Sequence, residues 1–438
     1  MRTAIKTYFT ALVLGLSILG QAHAKQAKDS SISCADVKAG YQHVAARYAS
    51  YAERKKQQAS TKSKLIYGQL KLAVPQAPEI AVTPPVQKRG TKLALNVVGG
   101  YPKMLGQTYN AVVGMGSPAQ YFNLTADTGS MLTWAVHASC KEADCPGVTH
   151  KKTYNPIKSR TSRKIRPDHE AYGDGEMDLI LYNDFVTLNT TTLKIATIGG
   201  AVKTFEKDGS LEHDGLFGLG RKVDADPEPI LDTKRRSDKD FVQMVAIDLG
   251  VQANIEIGGY DFVKYPKLVQ IKVGDDDGWL LSKASVTAQD AVATTPVDLL
   301  VDTGSSVSML PASRMDAIMN RPGLKVQKTT SEPIVYSMPC ETKLNVQMIL
   351  PDGTKVPVKD SDILMQSNDP KMPGCLSLLV GTTNPFLPAV AGTPMLKSIY
   401  TVLSRSDSGD WIGLAPLVQE EASKSTAASN HRRRHLPL

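Results

Sequence analysis

The chain has 438 residues, 42% of them hydrophobic and 21% charged, which is enough apolar material for one large core or two moderate ones and excludes a disordered or fibrous protein. Its net charge of +8 is concentrated: residues 25–89 carry 12 basic against 4 acidic residues, residues 1–24 add 2 basic, and from Gly90 onward 37 basic face 39 acidic, a net of −2. That distribution removes the electrostatic case for a nucleic-acid partner, and two compact domains become the expectation.

Residues 1–24 read as a signal peptide for export. Arg2 and Lys6 lead an apolar run from Tyr8 to Gly20, too short to span a bilayer, and Ala22-His23-Ala24 offers a small-residue cleavage site. No later stretch is apolar enough to cross a membrane, so no membrane association is expected. The basic segment, residues 25–89, is Ala-rich at first, and Ala35 to Lys56 is expected to form an amphipathic helix. Pro75, Pro78, Pro84 and Pro85 then make an extended linker. The linker ends at Lys88-Arg89-Gly90, a dibasic pair placed before the first strand-rich sequence. Such pairs are common by accident, but this placement predicts a processing site.

Five cysteines fit an oxidising compartment. Cys34 is left over, and the other four can pair locally as Cys140 with Cys145 and Cys340 with Cys375. Their wide spacing disfavours zinc, and no metal is expected.

From Tyr109 short runs of Val, Ile, Leu, Thr and Tyr are divided by Gly, Pro, Asn and Asp every ten or so residues, a mostly-β texture. Lys234-Arg235-Arg236 reads as an exposed basic run in a polar loop, with a second nicking site as the alternative. Val269 to Val273 alternates, Gly274 to Gly278 turns, and Trp279 to Leu281 resumes, so the three aspartates between are read as a hairpin tip; an EF-hand would spread its acids over twelve positions. Residues 419–438 are polar, end in an Arg cluster, and are expected to be disordered.

An internal repeat dominates the pattern. Ala126-Asp127-Thr128-Gly129-Ser130 recurs as Val301-Asp302-Thr303-Gly304-Ser305, and each copy follows an apolar strand, Tyr121 to Thr125 and Val297 to Val301. Leu216-Phe217-Gly218 ends 91 residues after Asp127, and Val390-Ala391-Gly392 ends 90 residues after Asp302. One Asp-Thr-Gly is weak; two with matching downstream elements specify two homologous lobes. In such a loop Gly129 or Gly304 lets a backbone N–H approach the acid, and Ser130 or Ser305 can hydrogen-bond its outer oxygen. If the loops meet, the two carboxyls cannot both ionise cheaply, so the pair shares a proton over an acidic range. A half-protonated pair can take a proton from water while giving one to a carbonyl oxygen, which hydrolyses an amide without metal or cofactor.

Over about Leu95 to Leu417 the sequence resembles the pepsin-like aspartic proteases. The matching pieces are Asp127-Thr-Gly-Ser with Trp134 seven residues on, Cys140 with Cys145, Tyr172-Gly173-Asp174-Gly175, Asp214-Gly-Leu-Phe-Gly218, Asp302-Thr-Gly-Ser305, Cys340 with Cys375, and Ile399-Tyr-Thr-Val402 with Ile412-Gly-Leu-Ala-Pro416. The resemblance implies a mostly-β, bilobal pepsin-like acid protease fold with a peptide cleft between two homologous lobes, here residues 90–265 with the flap and residues 266–418. It implies Asp127 and Asp302 as catalytic acids, Thr128 and Thr303 tying the loops together, and a flap in which Tyr172 closes over substrate and is held by Trp134. Cys140–Cys145 and Cys340–Cys375 would be disulfides.

Ordinary readings compete at several positions. Tyr172-Gly-Asp-Gly suits any turn, Trp134 any core, and Asp214 reads as a structural turn residue. Asn123-Leu-Thr125 matches a glycosylation sequon on a strand expected to be buried, so Asn189-Thr-Thr191 is the better acceptor. Two features depart from the family pattern: Thr393 follows Gly392 where many relatives have Asp, and Gly381 competes with Gly392 as the loop glycine, the sequence after Gly392 favouring the latter. Asp174 would let a basic residue precede the cut, against the plain alternative of a solvent-facing acid.

The resulting expectation is a secreted aspartic endopeptidase, with a vacuole or lysosome-like compartment as alternative, acting on proteins or peptides as a monomer. Residues 25–89 are expected to be an inhibitory propeptide, with Lys62, Lys64 or Lys71 approaching the acids; a folding aid is the alternative. A catalytically inactive pepsin-like protein-binding module is the competing function, and the two intact loops argue against it.

Overall fold

The computed structural model describes residues 32–48, 80–81, 88–98, 108–172, 175–204, 213–221, 227–274, 278–288, 295–406 and 409–418. The expected signal, the Pro-rich linker, Lys62, Lys64, Lys71 and the tail lie outside these residues.

The N-terminal segment begins with α1 (Cys34–Arg47). Ser33 opens it as a reciprocal cap: its Oγ accepts from the Asp36 N–H at 3.1 Å, and the Asp36 carboxylate accepts from the Ser33 N–H at 2.7 Å. Cys34, Val37, Tyr41 and Tyr48 are buried along one face, in a cluster with Leu300, Val307, Val380 and Val390 of the second lobe. The expected helix is therefore present, and its described part ends at Arg47. A second piece, β1 (Ile80–Ala81), follows.

The first lobe contains β2 (Thr91–Val98), β3 (Thr108–Met115), β4 (Gln120–Asp127), β5 (Thr133–Val136), β6 (Arg163–Tyr172), β7 (Gly175–Leu188), β8 (Thr191–Thr204) and β9 (Gly215–Gly218). Next come α2 (Ile230–Ser237), β10 (Gln243–Asp248), β11 (Asn254–Ile257) and β12 (Val269–Lys272). The second lobe has β13 (Leu280–Ala288), β14 (Val297–Val301), β15 (Ser308–Pro311), β16 (Gln327–Lys328), β17 (Tyr336–Met338), β18 (Val346–Ile349), β19 (Lys355–Pro357), β20 (Leu364–Gln366), β21 (Cys375–Ser377), β22 (Leu379–Thr382) and β23 (Ala389–Ala391), and the chain closes with β24 (Ile399–Ser406) and β25 (Gly409–Pro416).

The duplication is exact at the level of strand order and direction. In the first lobe β4 runs parallel to β9, β9 antiparallel to β5, and β5 parallel to β8. In the second, β14 runs parallel to β23, β23 antiparallel to β15, and β15 parallel to β22. Each Asp-Thr-Gly loop thus leaves a strand flanked on both sides, which explains the buried apolar residues that precede both aspartates. The register resolves the loop glycine. Val301 pairs with Ala391, one residue before Gly392, as Ala126 pairs with Phe217 before Gly218, whereas Gly381 lies in β22 against Leu310.

The lobes are joined by strands from the middle and both ends of the chain: β12, β25, β24, β10, β11 and β2 lie side by side and continue into β3 and the first lobe. The N-terminal β1 adds an edge strand to β12. The reading of residues 269–281 as a hairpin is corrected here. β12 pairs with β25, while β13 pairs with β14 and β18, so the two strands belong to different sheets; the three aspartates between them lie outside the described residues. Alternation specifies a strand and its buried face but not its partner. Lys234-Arg235-Arg236 is likewise helical, in α2, where Lys234 pairs with Asp238 at 2.8 Å and Arg236 with Glu228 at 2.9 Å. No described helix is long and apolar enough to cross a membrane.

Candidate active site

The two repeated loops meet at the contact between lobes. The Thr128 N–H donates to Thr303 Oγ1 at 3.1 Å, and the Thr303 N–H donates to Thr128 Oγ1 at 3.0 Å. Each hydroxyl in turn donates across the interface, Thr128 to the Val301 carbonyl at 2.9 Å and Thr303 to the Ala126 carbonyl at 2.7 Å. Four reciprocal bonds between buried groups fix one loop against the other.

On this base the acids converge. Asp127 and Asp302 are both fully buried, so each needs donors to replace water. Asp127 accepts from the Gly129 N–H at 2.8 Å and from Ser130 Oγ at 2.6 Å. Asp302 accepts from the Gly304 N–H at 2.9 Å. A methyl group at Gly304 would stand 2.4 Å from the Asp127 carboxyl carbon, so the glycine that holds one acid lies directly against the other. Gly is required here because two backbones and a carboxylate share one small space.

The loops differ at their serines. Ser305 Oγ donates to the Val307 carbonyl at 2.7 Å. Its single proton is used there, which corrects the expectation that Ser305 donates to Asp302 as Ser130 does to Asp127. The outer oxygen of Asp302 instead accepts from the phenol of Tyr48 at 3.0 Å. Thr393 stays near this loop and donates both its N–H and its Oγ1 to the Ser305 carbonyl, at 2.8 and 3.2 Å.

The first lobe also supplies a hairpin that packs over Trp134. β6 and β7 pair up to Tyr172 against Gly175; Gly173, Asp174 and the Tyr172 side chain lie outside the described residues. Trp134, 4% exposed, packs under the hairpin with Met177 and Leu179, edge-on to His213 at 6.5 Å. Cys140–Cys145 joins the same cluster, with an S–S distance of 1.98 Å; Cys340–Cys375 closes at 2.00 Å. Both pairings are those the resemblance implied, and Cys34 is a buried free thiol whose pKa burial pushes up. Asp214 is structural, accepting from the Asn123 and Lys152 N–H groups at 2.8 Å each.

The N-terminal segment covers this site. Ile32 bridges to Ser367, α1 lies on the second lobe and passes β6, and Tyr48 reaches Asp302. Midway, the buried Tyr41 donates to Glu332, which also accepts from Thr382 Oγ1 at 2.6 Å and from Thr383. Burial pushes the Glu332 carboxyl up, but the Thr382, Thr383 and Tyr41 hydroxyls outweigh it and hold the group below the ordinary glutamate value. The sequence offered Lys62, Lys64 or Lys71, which lie outside the described residues, and did not single out Tyr48. The available signal was the spacing of Cys34, Val37, Tyr41 and Tyr48 on one helical face.

A family model for eukaryotic aspartyl proteases matches residues 108–417. Secreted aspartic protease 1 of Candida albicans is 26% identical over 354 residues, covering 74% of this chain and 83% of the relative. Mouse pepsin A-5 is 27% identical over 339 residues, covering 71% and 82%. Bovine pregnancy-associated glycoprotein 2 is 24% identical over 347 residues, covering 76% and 88%.

Proposed function

The chain belongs to the eukaryotic aspartyl protease family and is an aspartic-type endopeptidase, and from that premise we propose that Asp127 and Asp302 are its catalytic pair, in an enzyme exported as a zymogen. The observation that carries the catalytic assignment is the close approach of Gly304 to Asp127 above the reciprocal threonine bonds. Acids so placed hold one proton between them. The ionised carboxylate takes a proton from a water, whose oxygen attacks the peptide carbonyl, while the protonated carboxyl gives its proton to the carbonyl oxygen. Collapse of the tetrahedral species breaks the C–N bond as a proton passes to the leaving amine. Thr128 and Thr303 position the acids, and Ser130 with Gly129 orients the Asp127 carboxylate. The β6–β7 hairpin, with Tyr172, Gly173, Asp174 and Gly175 at its tip and Trp134 beneath, is the flap over a protein or peptide substrate.

The zymogen reading rests on Tyr48. Its phenol occupies the outer face of Asp302, where a substrate carbonyl and attacking water would have to stand, and α1 fills the second-lobe side of the cleft. Export is supported by the signal-like residues 1–24 and by two disulfides. The protein is expected to act outside the cell, as a monomer. Incubation at acid pH with a denatured protein substrate tests the assignment. Pepstatin-sensitive cleavage should appear and fall at least about a thousandfold in Asp127→Asn; undiminished cleavage by that variant would overturn it.

A further inference from the structure

Glu256, on β11, is 2% exposed. One of its oxygens accepts from the Gly90 N–H at 2.5 Å. The other, Oε2, is buried with no hydrogen-bond partner, its nearest cations being Arg89 Nη1 and Lys92 Nζ at 3.9 Å each. A buried carboxylate oxygen without a donor is costly, and this one belongs to the carboxylate whose other oxygen already holds the nitrogen of the residue that follows a dibasic pair. The chain is held there closely. A methyl at Gly90 would stand 2.4 Å from the Ile257 carbonyl oxygen, and the Lys88 carbonyl accepts from the Tyr260 N–H at 2.9 Å. The Lys88 and Arg89 side chains are exposed, with Arg89 paired to Asp261 at 2.7 Å and Lys92 to the same acid at 3.6 Å.

We propose that the Arg89–Gly90 bond is the maturation site and that Glu256 is the receptor for the new N-terminus. Hydrolysis by an endopeptidase selective for paired basic residues adds one water across the C–N bond. The hydroxyl goes to the Arg89 carbonyl and a proton to the Gly90 nitrogen, which takes up a second proton as an ammonium. That ammonium keeps its bond to the oxygen Gly90 already contacts and offers a further N–H to Oε2. Charge is conserved around the site. Before the cut, Glu256 and Asp261 face Arg89 and Lys92; afterwards Arg89 leaves with the segment and the Gly90 ammonium replaces it. Removal of the segment therefore leaves no uncompensated buried carboxylate, the situation in which a buried charge is most destabilising. The ion pair also anchors β2 beside β11 in the joining sheet, where Glu256 pairs with Lys92.

The inference rests on the reading that residues 25–89 are removed. Its test processes the full-length protein with a dibasic-selective endopeptidase, reads the N-terminal mass, and measures Tm before and after cleavage in wild type and in Glu256→Gln. The mature chain should begin at Gly90, and Glu256→Gln should lower Tm of the cleaved form by about 4 °C more than that of the uncleaved form. In the wild type, which needs no variant to fold, the Gly90 amine should react with an acylating reagent at least about tenfold more slowly than the same amine in the denatured chain. An active mature chain beginning elsewhere, equal Tm losses in both forms, or a freely reactive amine would overturn the capture site while leaving the zymogen reading intact. Full activity of the uncleaved chain at neutral pH would instead remove that reading.

Discussion

At the residue scale the site depends on atoms that are absent as much as on atoms that are present. Gly304→Ala should abolish proteolysis, because its methyl would displace the Asp127 carboxyl from 2.4 Å away; a variant with wild-type kcat would show that the loops do not close as described. Thr303→Ala removes a hydroxyl that both accepts from Thr128 and donates to Ala126. It leaves two buried groups unsatisfied and should cost about 2–4 kcal/mol in a denaturant titration; a loss under about 0.5 kcal/mol would contradict the cross-lobe network. Asp127, Thr128, Asp302 and Thr303 were legible in the sequence because a repeated four-residue loop carries both backbone and side-chain chemistry. The Ser305 hydroxyl was not, since its rotation is decided by which acceptor lies nearer in space. Glu256 was invisible for a similar reason: an acid in a strand signals nothing until its neighbour across the sheet is known.

At the element scale the inhibitory role proposed for α1 predicts a grip that depends on pH. Its docking includes the Tyr41–Glu332 bond, and Glu332 is held below its ordinary value of 4.5 in the docked state. A depressed carboxyl contributes fully above the ordinary value and loses that contribution as pH falls through the lowered one. Lys38 donates to Ser331 at 3.3 Å beside it. Onset of activity on acidification should therefore come at or below the ordinary glutamate value, and Glu332→Gln should blunt that onset; an identical pH profile in the variant would exclude Glu332 as the sensor. Tyr48→Phe deletes one bond to a carboxyl and should raise residual activity of the unprocessed chain near neutrality about tenfold. No change would mean that Tyr48 does not obstruct the site. The amphipathic face of α1 was readable, and so was the β6–β7 hairpin. The lobe that α1 covers was not, because periodicity reports a buried face and not what buries it.

At the scale of the whole molecule, two lobes of the same strand order are held together by a sheet drawn from the middle and both ends of the chain. The repeated motifs announced the duplication, and the apolar strands before each aspartate announced the burial. The joining sheet was unreadable because β24 and β10 lie far apart in sequence, and the turn after β12 looked like any hairpin. Long-range closure also sets the weight of the disulfides. Cys340–Cys375 closes 35 residues and Cys140–Cys145 only 5, so replacing the first pair by Ser should cost about 4 kcal/mol and the second about 2 kcal/mol. A reversed order in parallel urea titrations would show that native strain outweighs chain entropy.

The central claim is that one acid from each lobe forms a single catalytic unit. Groups acting as a unit lose activity together, so their effects do not add. The decisive measurement is kcat on one peptide for mature Asp127→Asn, Asp302→Asn and the double variant. Each single variant should fall to the same background, and the double variant no further. Retention of near wild-type turnover by either single variant, or a second drop of similar size in the double, would contradict the account.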